Sequence, residues 1–283
     1  MSVCVEYQDV SYAYPLTKKA AVRHLNCKLE TGKCYGVIGP NAGGKTTFCN
    51  LLMGLCPNFY GGTLKGNVMI KGKRMQDWDE SELAVHIGYV FQDPFAQVSG
   101  IKETVFEEIG MGLENLGVEQ EEMIQRILNM ARLVKVDQLL QKHPLALSGG
   151  QCQRVAFASV LVLNSDIVVI DEPTSQLDPE GTLDVFEIIR GLKEMGKTVV
   201  IAEHKLDLLV EYCDEIIAMA GGEIIMQGPA RQVLSNPVLP EHGVQIPQVV
   251  QLFSAMAEAG KPLSSIPINP KEAVELIRRQ KEV

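Results

Sequence analysis

A strand-like apolar run at 34–38 leads directly into a glycine-rich segment of nine residues, 39–47. The segment fits the pattern G-x-x-x-x-G-K-[ST], in which successive backbone N–H groups and the first turn of a helix surround a polyphosphate. Lys45 adds a positive charge, and the hydroxyl of Thr46 can bind magnesium. A glycine turn that only reversed the chain would leave these side chains without a role. We therefore expect the polyphosphate to be bound by Gly39, Pro40, Asn41, Ala42, Gly43, Gly44, Lys45, Thr46 and Thr47.

A second helix start that favours an anion is predicted at 147–151, about 100 residues further along. Ser148 is placed as an N-cap with two glycines behind it, where free N–H groups and the helix dipole attract negative charge. A single nucleotide site seldom needs two such helix ends, whereas two chains arranged head to tail could each lend one to the nucleotide of the other. The pattern therefore predicts a nucleotide-dependent dimer in which the partner's nucleotide is contacted by Ser148, Gly149, Gly150 and Gln151.

Further motifs stand in a fixed order around these two segments. They are Tyr14, Gln92 within Val-Phe-Gln-Asp-Pro, the pair Asp171-Glu172, the segment 175–178 and His204. With these motifs in place, residues 3–234 resemble the ATPase subunit of an ATP-binding cassette (ABC) transporter. Three shorter segments are similar to those of the energy-coupling factor ATPases of the cobalt-transport type, which drive uptake of vitamins and transition-metal ions; they are 91–97, 104–109 and 112–117.

The resemblance implies cofactors, partners and a location. It implies ATP and Mg²⁺ as cofactors, and a second ATPase subunit that is either another copy or a paralogue. It also implies an integral membrane coupling subunit and a substrate-binding membrane subunit, so that the chain would be a peripheral membrane protein on the cytoplasmic face of the cell membrane. No nucleic-acid partner is expected, in line with the net charge of −9 and the pI of about 5.2.

Phosphoryl transfer requires neutralised charge around the γ-phosphate and a positioned water, with little covalent chemistry. Lys45 would bridge the β- and γ-phosphates, while Thr46 and Asp171 would hold Mg²⁺ directly or through water. Glu172 is expected to orient and deprotonate the attacking water, because a second carboxylate is not needed to hold one magnesium ion. A spare metal ligand is the alternative role for this residue.

Three further side chains are expected at the nucleotide. Gln92 would contact both magnesium and water, and its loop would report the nucleotide state to a membrane partner, as the resemblance implies. His204 follows a predicted strand and is placed to hydrogen-bond the γ-phosphate, because strand ends of a parallel sheet gather around a ligand. Tyr14 would stack on adenine, with Tyr12 as its competitor. The catalytic set is therefore Glu172, His204, Gln92 and Lys45.

Ser175 and Asp178 follow the paired carboxylates in the sequence. Both are expected to cross the dimer interface, with Asp178 at the nucleotide. The alternative is a simple Ser/Asp turn before a proline. Two positions also depart from the family pattern. Ala42 stands where glycine is usual, which should make the loop slightly less accommodating. Cys152 stands where a polar or basic residue is common, and it is expected to be reachable from solvent.

Short β-branched runs alternate with helical stretches, which predicts an α/β chain. Strands are predicted at 3–7, 35–38, 87–91, 167–171, 198–202 and 215–219. Between 92 and 166 the strand pattern vanishes, and helices are predicted at 102–117 and 119–133. With the resemblance, this predicts a P-loop NTPase fold of the ABC ATPase type. It has a mostly parallel core sheet and an N-terminal antiparallel part, and the ABC domain is expected to span 1–234 with a helical subdomain inserted at about 93–165.

Prolines interrupt the pattern from 235 onward and predict a small C-terminal helical appendix, 235–283. Apolar residues fall on one face of each of two helices; they are Ile246, Val249, Val250, Phe253 and Met256 in the first, and Ala273, Val274 and Ile277 in the last. Packing against the main domain and contact with a second copy are both open for these faces. Energy-coupling ATPases carry C-terminal helices that join two copies, which favours a dimerisation element.

The composition sets limits on the class of protein. With 46% hydrophobic and 22% charged residues, the chain can build a large core, but no apolar run approaches the roughly 18–20 residues of a membrane-spanning helix. A membrane domain would therefore have to come from another chain. Seven cysteines without a C-x-x-C pair suit a reducing compartment.

The resemblance implies that the chain is the ATPase subunit of an importer for a vitamin or a transition-metal ion, and two other classes of protein fit the sequence less well. An ATP-gated clamp that acts on nucleic acid or ribosomes would more often carry two cassettes or a long coiled-coil insertion, and a small-molecule kinase would leave the segment at 147–151 without a role. The sequence does not indicate which substrate is transported. It also leaves open whether the dimer is homomeric or heteromeric.

Overall fold

The structure is a computed structural model that describes residues 2–175, 177–260 and 265–281. Its strands are β1 (Val3–Ala13), β2 (Val22–Glu30), β3 (Cys34–Ile38), β4 (Thr63–Ile70), β5 (Lys73–Arg74), β6 (Ile87–Val90), β7 (Ile167–Asp171), β8 (Thr198–Ala202), β9 (Glu215–Ala220) and β10 (Glu223–Pro229). Its α-helices are α1 (Lys45–Leu52), α2 (Leu55–Asn58), α3 (Glu80–His86), α4 (Pro94–Gln97), α5 (Val105–Asn115), α6 (Gln120–Leu133), α7 (Gly149–Leu161), α8 (Pro179–Glu194), α9 (Leu206–Tyr212), α10 (Ala230–Leu234), α11 (Val238–Glu241), α12 (Gln248–Glu258) and α13 (Pro270–Lys281).

The strands form two sheets. An antiparallel sheet has the order β2-β1-β4-β5, and a larger sheet has the order β10-β9-β3-β8-β7-β6. In the larger sheet, the neighbours from β9 to β6 are parallel, while β10 runs antiparallel to β9 at the edge. The predicted combination of a mostly parallel core sheet and an N-terminal antiparallel part is confirmed.

The core sheet lies between two apolar layers. The central strands β3, β7 and β8 are buried along their whole length, as expected of parallel strands covered on both faces. Along β8, Val199 and Ile201 belong to one core cluster, while Val200 and Ala202 belong to the other. The first cluster includes residues of α5, α7 and α8, and the second joins α1 to the antiparallel sheet.

The parallel order brings four chain segments to one edge of the sheet. Strands β3, β6, β7 and β8 run in the same direction, so their carboxyl ends lie side by side. Those ends lead into the 39–44 loop, Gln92, Glu172 and His204, respectively. Ligands of parallel α/β sheets bind at this edge. The strand order alone therefore places the 39–44 loop, Gln92, Glu172 and His204 at the same edge of the sheet.

The helices α4 to α7 occupy the predicted position between β6 and β7, and residues 91–166 contain no strand. Helix α5 begins at Val105, later than predicted, because Thr104 and Glu107 form a capping box that ends the preceding loop. Apolar residues of α5 and α7 share the first core cluster with the sheet. The exact limits of a helical subdomain and of the ABC domain stay predictions.

The C-terminal appendix packs against the main domain through its first part. Ile246 and Val250 lie in the first core cluster, and Phe253 is also buried. On α13, by contrast, Val274 and Ile277 are 47% and 42% exposed. Packing against the main domain therefore accounts for α12, whereas part of the apolar face of α13 faces outward and stays compatible with a dimer contact.

Candidate nucleotide-binding and hydrolysis site

The loop at 39–44 is closely packed against the turn that joins β9 to β10. Gly39 has φ +153°, and a Cβ there would lie 2.1 Å from the Met219 carbonyl oxygen. The Gly222 N–H donates to the Gly43 carbonyl at 3.1 Å. Glycine is required at the first position because a backbone atom, rather than a flexible side chain, fills the space where Cβ would be. The conformation of the 39–44 loop is thus fixed by its contacts with the end of β9 and the turn that follows it.

Lys45 begins α1 and is 4% exposed. Its Nζ donates to the carbonyls of Gly39 and Pro40, at 3.1 and 3.3 Å, and lies 3.6 Å from Glu172 Oε1. The ammonium group is thereby held at the mouth of the loop, where successive N–H groups and a helix start provide the environment of an anion site. This geometry suits the role predicted for Lys45 at the phosphates.

Glu172 is the centre of the predicted catalytic set. Gln92 donates its side-chain N–H to Glu172 Oε2 at 3.0 Å, and His204 Nε2 lies 3.0 Å from Oε1. The backbone of Glu172 has φ +45°, and its N–H donates to the Ala202 carbonyl at 2.9 Å. A left-handed conformation is costly for a residue with a Cβ and persists where the surroundings enforce it. The structure brings the other three predicted catalytic residues, Gln92, His204 and Lys45, around this carboxylate.

Asp171 ends β7 and is almost fully buried. Within the described part of the chain its Oδ1 has no hydrogen-bond partner, while Oδ2 accepts a long hydrogen bond of 3.5 Å from the Tyr89 hydroxyl. Burial raises the pKa of Asp171, and the Thr46 hydroxyl opposes the shift. A buried carboxylate oxygen without a donor suits a cation, and Mg²⁺ prefers oxygen ligands. Asp171 and Thr46 therefore fit the magnesium site predicted for them.

The substitution Asp171→Asn tests this fit. Wild-type protein with ATP should unfold at a higher temperature in Mg²⁺ than in EDTA, since a ligand at about 100 times its Kd stabilises by about 2.7 kcal/mol. The variant should lose this Mg²⁺-dependent increase, because the neutral amide oxygen is a weaker ligand for a hard cation. Thermal unfolding of both proteins measures the difference, with the exposed Asp137→Asn as control. An unchanged increase in Asp171→Asn would place the cation elsewhere.

Tyr14 and Tyr12 differ in their access to the cleft. A cleft of about 610 Å³ is lined by Tyr14, by most of the 39–47 loop, and by Gln92 and Glu172. Tyr14 is half-buried and its hydroxyl lies 3.2 Å from Thr47 Oγ1. Tyr12 is buried, and its hydroxyl donates to the Gly61 carbonyl at 2.5 Å. The structure therefore favours Tyr14 over Tyr12 as the ring available to an adenine.

The segment at 148–151 forms the helix start that its sequence predicts. Ser148 is the N-cap of α7 and forms a capping box with Gln151. Ser148 and Gln151 line a second cavity of about 480 Å³, together with Gly150 and Asp178. We call residues 147–151 the signature segment, this cavity the signature cavity, and residues 39–47 the phosphate loop. The signature cavity shares no lining residue with the cleft at the phosphate loop. Within one chain, the structure keeps the two helix starts that are predicted to bind anions in separate cavities.

Asp178 lies with the signature segment and away from the cleft that contains Lys45. Its carboxylate accepts a hydrogen bond of 2.7 Å from the Gly181 N–H and caps α8. The turn before a proline, which was the alternative, is therefore present. A contact with the nucleotide of a partner chain stays a prediction. Ser175 is exposed, and Gln176 between these two residues lies outside the described part of the chain.

The two departures from the family pattern have different consequences. Ala42 is exposed and has φ +60°, a left-handed conformation that costs a residue with a Cβ about 1–2 kcal/mol. This cost is a structural reason to expect that the loop adopts fewer backbone conformations with Ala42 than with glycine. The expectation that Cys152 is reachable from solvent is wrong. Cys152 is fully buried in α7, and burial raises its thiol pKa to about 11.

Sequence reasoning missed the residues that flank His204. The carboxylate of Glu203 is buried and accepts hydrogen bonds from the Thr174 hydroxyl and from the His204 N–H. Lys205 donates to the Thr182 hydroxyl at 2.6 Å. These contacts connect the loop after β8 to the chain that follows Glu172. The acidic residue before His204 and the basic residue after it were the only sequence signal that could have indicated these contacts.

Comparisons with known proteins agree with this geometry. A family model described as ABC transporter matches residues 22–175, more than half of the chain. A relative from Pyrococcus abyssi, named as an ABC transporter ATP-binding protein, is 40% identical over 258 residues, which are 90% of this chain and 91% of the relative. A relative from Pyrococcus horikoshii with the same type of name is 37% identical over 97% of this chain and 96% of its own length.

Solved structures are also similar. The structure of cbiO1 from Clostridium perfringens, described as part of the ABC transporter complex cbiONQ, is 27% identical with a TM-score of 0.74, and covers 90% of this chain and 100% of its own. The ATP-binding cassette MJ0796, a dimer bound to ADP and Pi, is 27% identical with a TM-score of 0.69, and covers 80% of this chain and 99% of its own. Among the residues that the structure describes, none of the helices has the length and apolar character of a membrane span.

The family model and the two Pyrococcus relatives together show that the chain belongs to the ABC transporter family, as an ATP-binding subunit with ATPase activity.

Proposed function

We propose that this chain is the ATPase of an energy-coupling factor type importer, and that it powers uptake of a vitamin or a transition-metal ion. It would act at the cytoplasmic face of the membrane with a membrane coupling subunit and a substrate-binding membrane subunit. The observation that carries the proposal is the likeness to cbiO1, a part of the complex cbiONQ. The alignment with cbiO1 covers 90% of the chain. Residues 1–234 make up a smaller share of the chain than this, so the alignment extends into the C-terminal appendix.

In the proposed hydrolysis reaction, Glu172 orients the attacking water and accepts its proton. Gln92 and His204 hold the two carboxylate oxygens of Glu172, which supports this role because a general base must be fixed toward its water. Lys45 neutralises charge on the β- and γ-phosphates. Mg²⁺, held by Asp171 and Thr46, would supply charge neutralisation at the phosphate oxygens.

The nucleotide is proposed to lie between two ATPase subunits arranged head to tail, either two copies or this chain and a paralogue. The separation of the signature cavity from the cleft at Lys45 supports this arrangement, because each chain then offers one half of two composite sites. The dimeric state of the similar cassette MJ0796 supports it as well. In this arrangement Ser148 and Asp178 would face the partner's nucleotide.

The segment after Gln92 is the proposed contact with the membrane coupling subunit. It exposes two large apolar side chains, Phe95 at 53% and Ile101 at 81%. The same segment is tied to the sheet, since Gln97 donates to the Tyr89 carbonyl at 3.0 Å and accepts from the Phe91 N–H at 3.1 Å. A partner bound to Phe95 and Ile101 would therefore be connected to the loop that holds Gln92. Two large apolar side chains exposed on one short segment offer a surface that a protein partner could cover.

The outward face of α13 is the proposed contact between the two appendices. Val274 and Ile277 are exposed on this helix, and Arg231 of α10 forms an ion pair with Glu272 that holds α13 on the main domain. A rigidly placed apolar face loses less entropy on association than a mobile one. This supports a dimerisation role for α13.

The experiment that tests the proposed function is purification of the tagged full-length chain from native membranes in mild detergent, followed by mass spectrometry. A polytopic membrane protein should co-purify with the wild-type chain and should be lost from the double variant Phe95→Ser, Ile101→Ser. The variant Leu16→Ser is the control, because Leu16 is a fully exposed apolar residue at another position. Recovery of only soluble factors, ribosomes or nucleic acid would overturn the importer and indicate the ATP-gated clamp.

A further inference from the structure

A cavity of about 550 Å³ adjoins the nucleotide cleft and shares Asn41 and Glu172 with it. We call it the His204 cavity, because His204 and its neighbour Glu203 line it at the end of β8. The same cavity is lined by Gly243 and Gln245, which belong to the C-terminal appendix. The appendix therefore lines a cavity to which the proposed catalytic residue Glu172 of the same chain also belongs.

Gln245 is held in place by its neighbours on both sides. Val244 and Ile246 are buried in the first core cluster, while Gln245 between them is exposed. The Val244 N–H donates to the Leu239 carbonyl at 3.0 Å, and the Ile246 carbonyl accepts from Gln251 Nε2 at 3.0 Å. The amide group of Gln245 itself makes no hydrogen bond within the ranges that the structure describes. A fixed backbone thus presents a free amide to the cavity.

The side of the cavity that carries His204 rests on the same core. Leu206, which lines the cavity, packs against the first core cluster, to which Val244 and Ile246 also belong. The buried carboxylate of Glu203 fixes the backbone N–H of His204. Packed interiors transmit displacement because they contain few voids. Gln245 and His204 are therefore both placed by neighbours that belong to, or pack against, the same core cluster.

We propose that Gln245 is a positioning residue for ATP hydrolysis, supplied by the C-terminal appendix of the same chain. The proposal rests on the proposed roles of Glu172 and His204. An amide can donate and accept hydrogen bonds without adding charge, so Gln245 can orient His204 or the water network on this side of the γ-phosphate at no electrostatic cost. The appendix is then a part of the hydrolysis site in addition to its proposed role in assembly.

The substitution Gln245→Ala tests the proposal in the purified full-length chain. Loss of one hydrogen bond that acts in the transition state should lower kcat about fivefold to tenfold. The KM for MgATP and the midpoint of thermal unfolding should stay close to wild type, because the side chain is exposed. Gln248→Ala is the matched control, since Gln248 is an exposed glutamine of the same appendix that does not line the cavity.

A second variant, Gln245→Glu, tests the chemistry of the Gln245 side chain while its size is kept. Gln245→Glu keeps the shape but adds a negative charge on the side of Glu172 and the phosphates, so its kcat should fall below that of Gln245→Ala. The proposal is overturned if Gln245→Ala has the kcat of Gln248→Ala, or if its loss of rate comes with an equal rise in KM or a lower unfolding temperature. Glu172→Gln in the same assay reports separately on the proposed function. An active Glu172→Gln would remove the basis for both proposals.

Discussion

Replacing Glu172 by glutamine is expected to lower kcat for ATP hydrolysis at least about 100-fold, because a neutral amide cannot accept the proton of the attacking water. The size and shape of the side chain are kept, so Gln92 and His204 still have a partner at this position. Binding of MgATP should stay within about threefold of wild type, since binding is assigned to Lys45 and the loop amides. The predicted result is a protein that binds ATP and does not turn it over.

The measurement is steady-state phosphate release together with equilibrium binding of a fluorescent ATP analogue. Glu194→Gln is the matched control, because it makes the same chemical change at an exposed position at the end of α8. If Glu172→Gln kept more than about a tenth of the wild-type kcat, Glu172 would not be the general base. A loss of rate explained entirely by weaker ATP binding would likewise make Glu172 a binding residue.

Replacing Gly39 by alanine should be the most damaging change in the phosphate loop. The new Cβ would lie 2.1 Å from the Met219 carbonyl oxygen and 3.1 Å from its carbon, and both are backbone atoms that cannot turn aside. The loop must shift, and with it the Gly39 carbonyl that accepts from Lys45. We expect MgATP binding to weaken by at least about tenfold, and the unfolding temperature to fall by several degrees.

Gly196→Ala provides the control for backbone strain alone. Gly196 also has a positive φ, +75°, but a Cβ there would meet no atom within 4 Å. A moderate loss of stability with unchanged nucleotide binding is expected for this variant, as for alanine at any left-handed position. Calorimetric titration with MgATP and thermal unfolding compare the two proteins. Equal effects of the two substitutions would show that collision with Met219 does not shape the loop.

The sequence predicted β7 and β8 to the residue, because each is a short apolar run between turn signals and is buried on both faces. It underestimated β1, which extends to Ala13, because shifts in register interrupt the alternation near Asp9, a residue with positive φ. Three members of the catalytic set, Gln92, Glu172 and His204, could be predicted because they follow the ends of parallel strands, whereas Lys45 was predicted from the loop motif and begins α1. The hydrogen-bond partners of this set could not be predicted, since they depend on side-chain distances.

Residues without a local signal were missed for a different reason. Gln245 lies far along the chain from His204, and only the packing of Val244 and Ile246 into the first core cluster brings it to the cavity. The burial of Cys152 has a similar origin, since its accessibility depends on what packs against α7 rather than on its own neighbours in sequence. Periodicity reports which face of a helix is apolar and not which element covers it.

The separation of the signature cavity from the cleft at Lys45 has a consequence for the membrane partner. If each chain holds half of two composite sites, turnover by the free chain depends on encounters between copies and falls on dilution. A membrane subunit that holds two ATPase chains side by side acts as a tether and replaces the bulk concentration with an effective one of the order of millimolar. Such a partner would switch on hydrolysis by proximity alone, before any change in the shape of either chain.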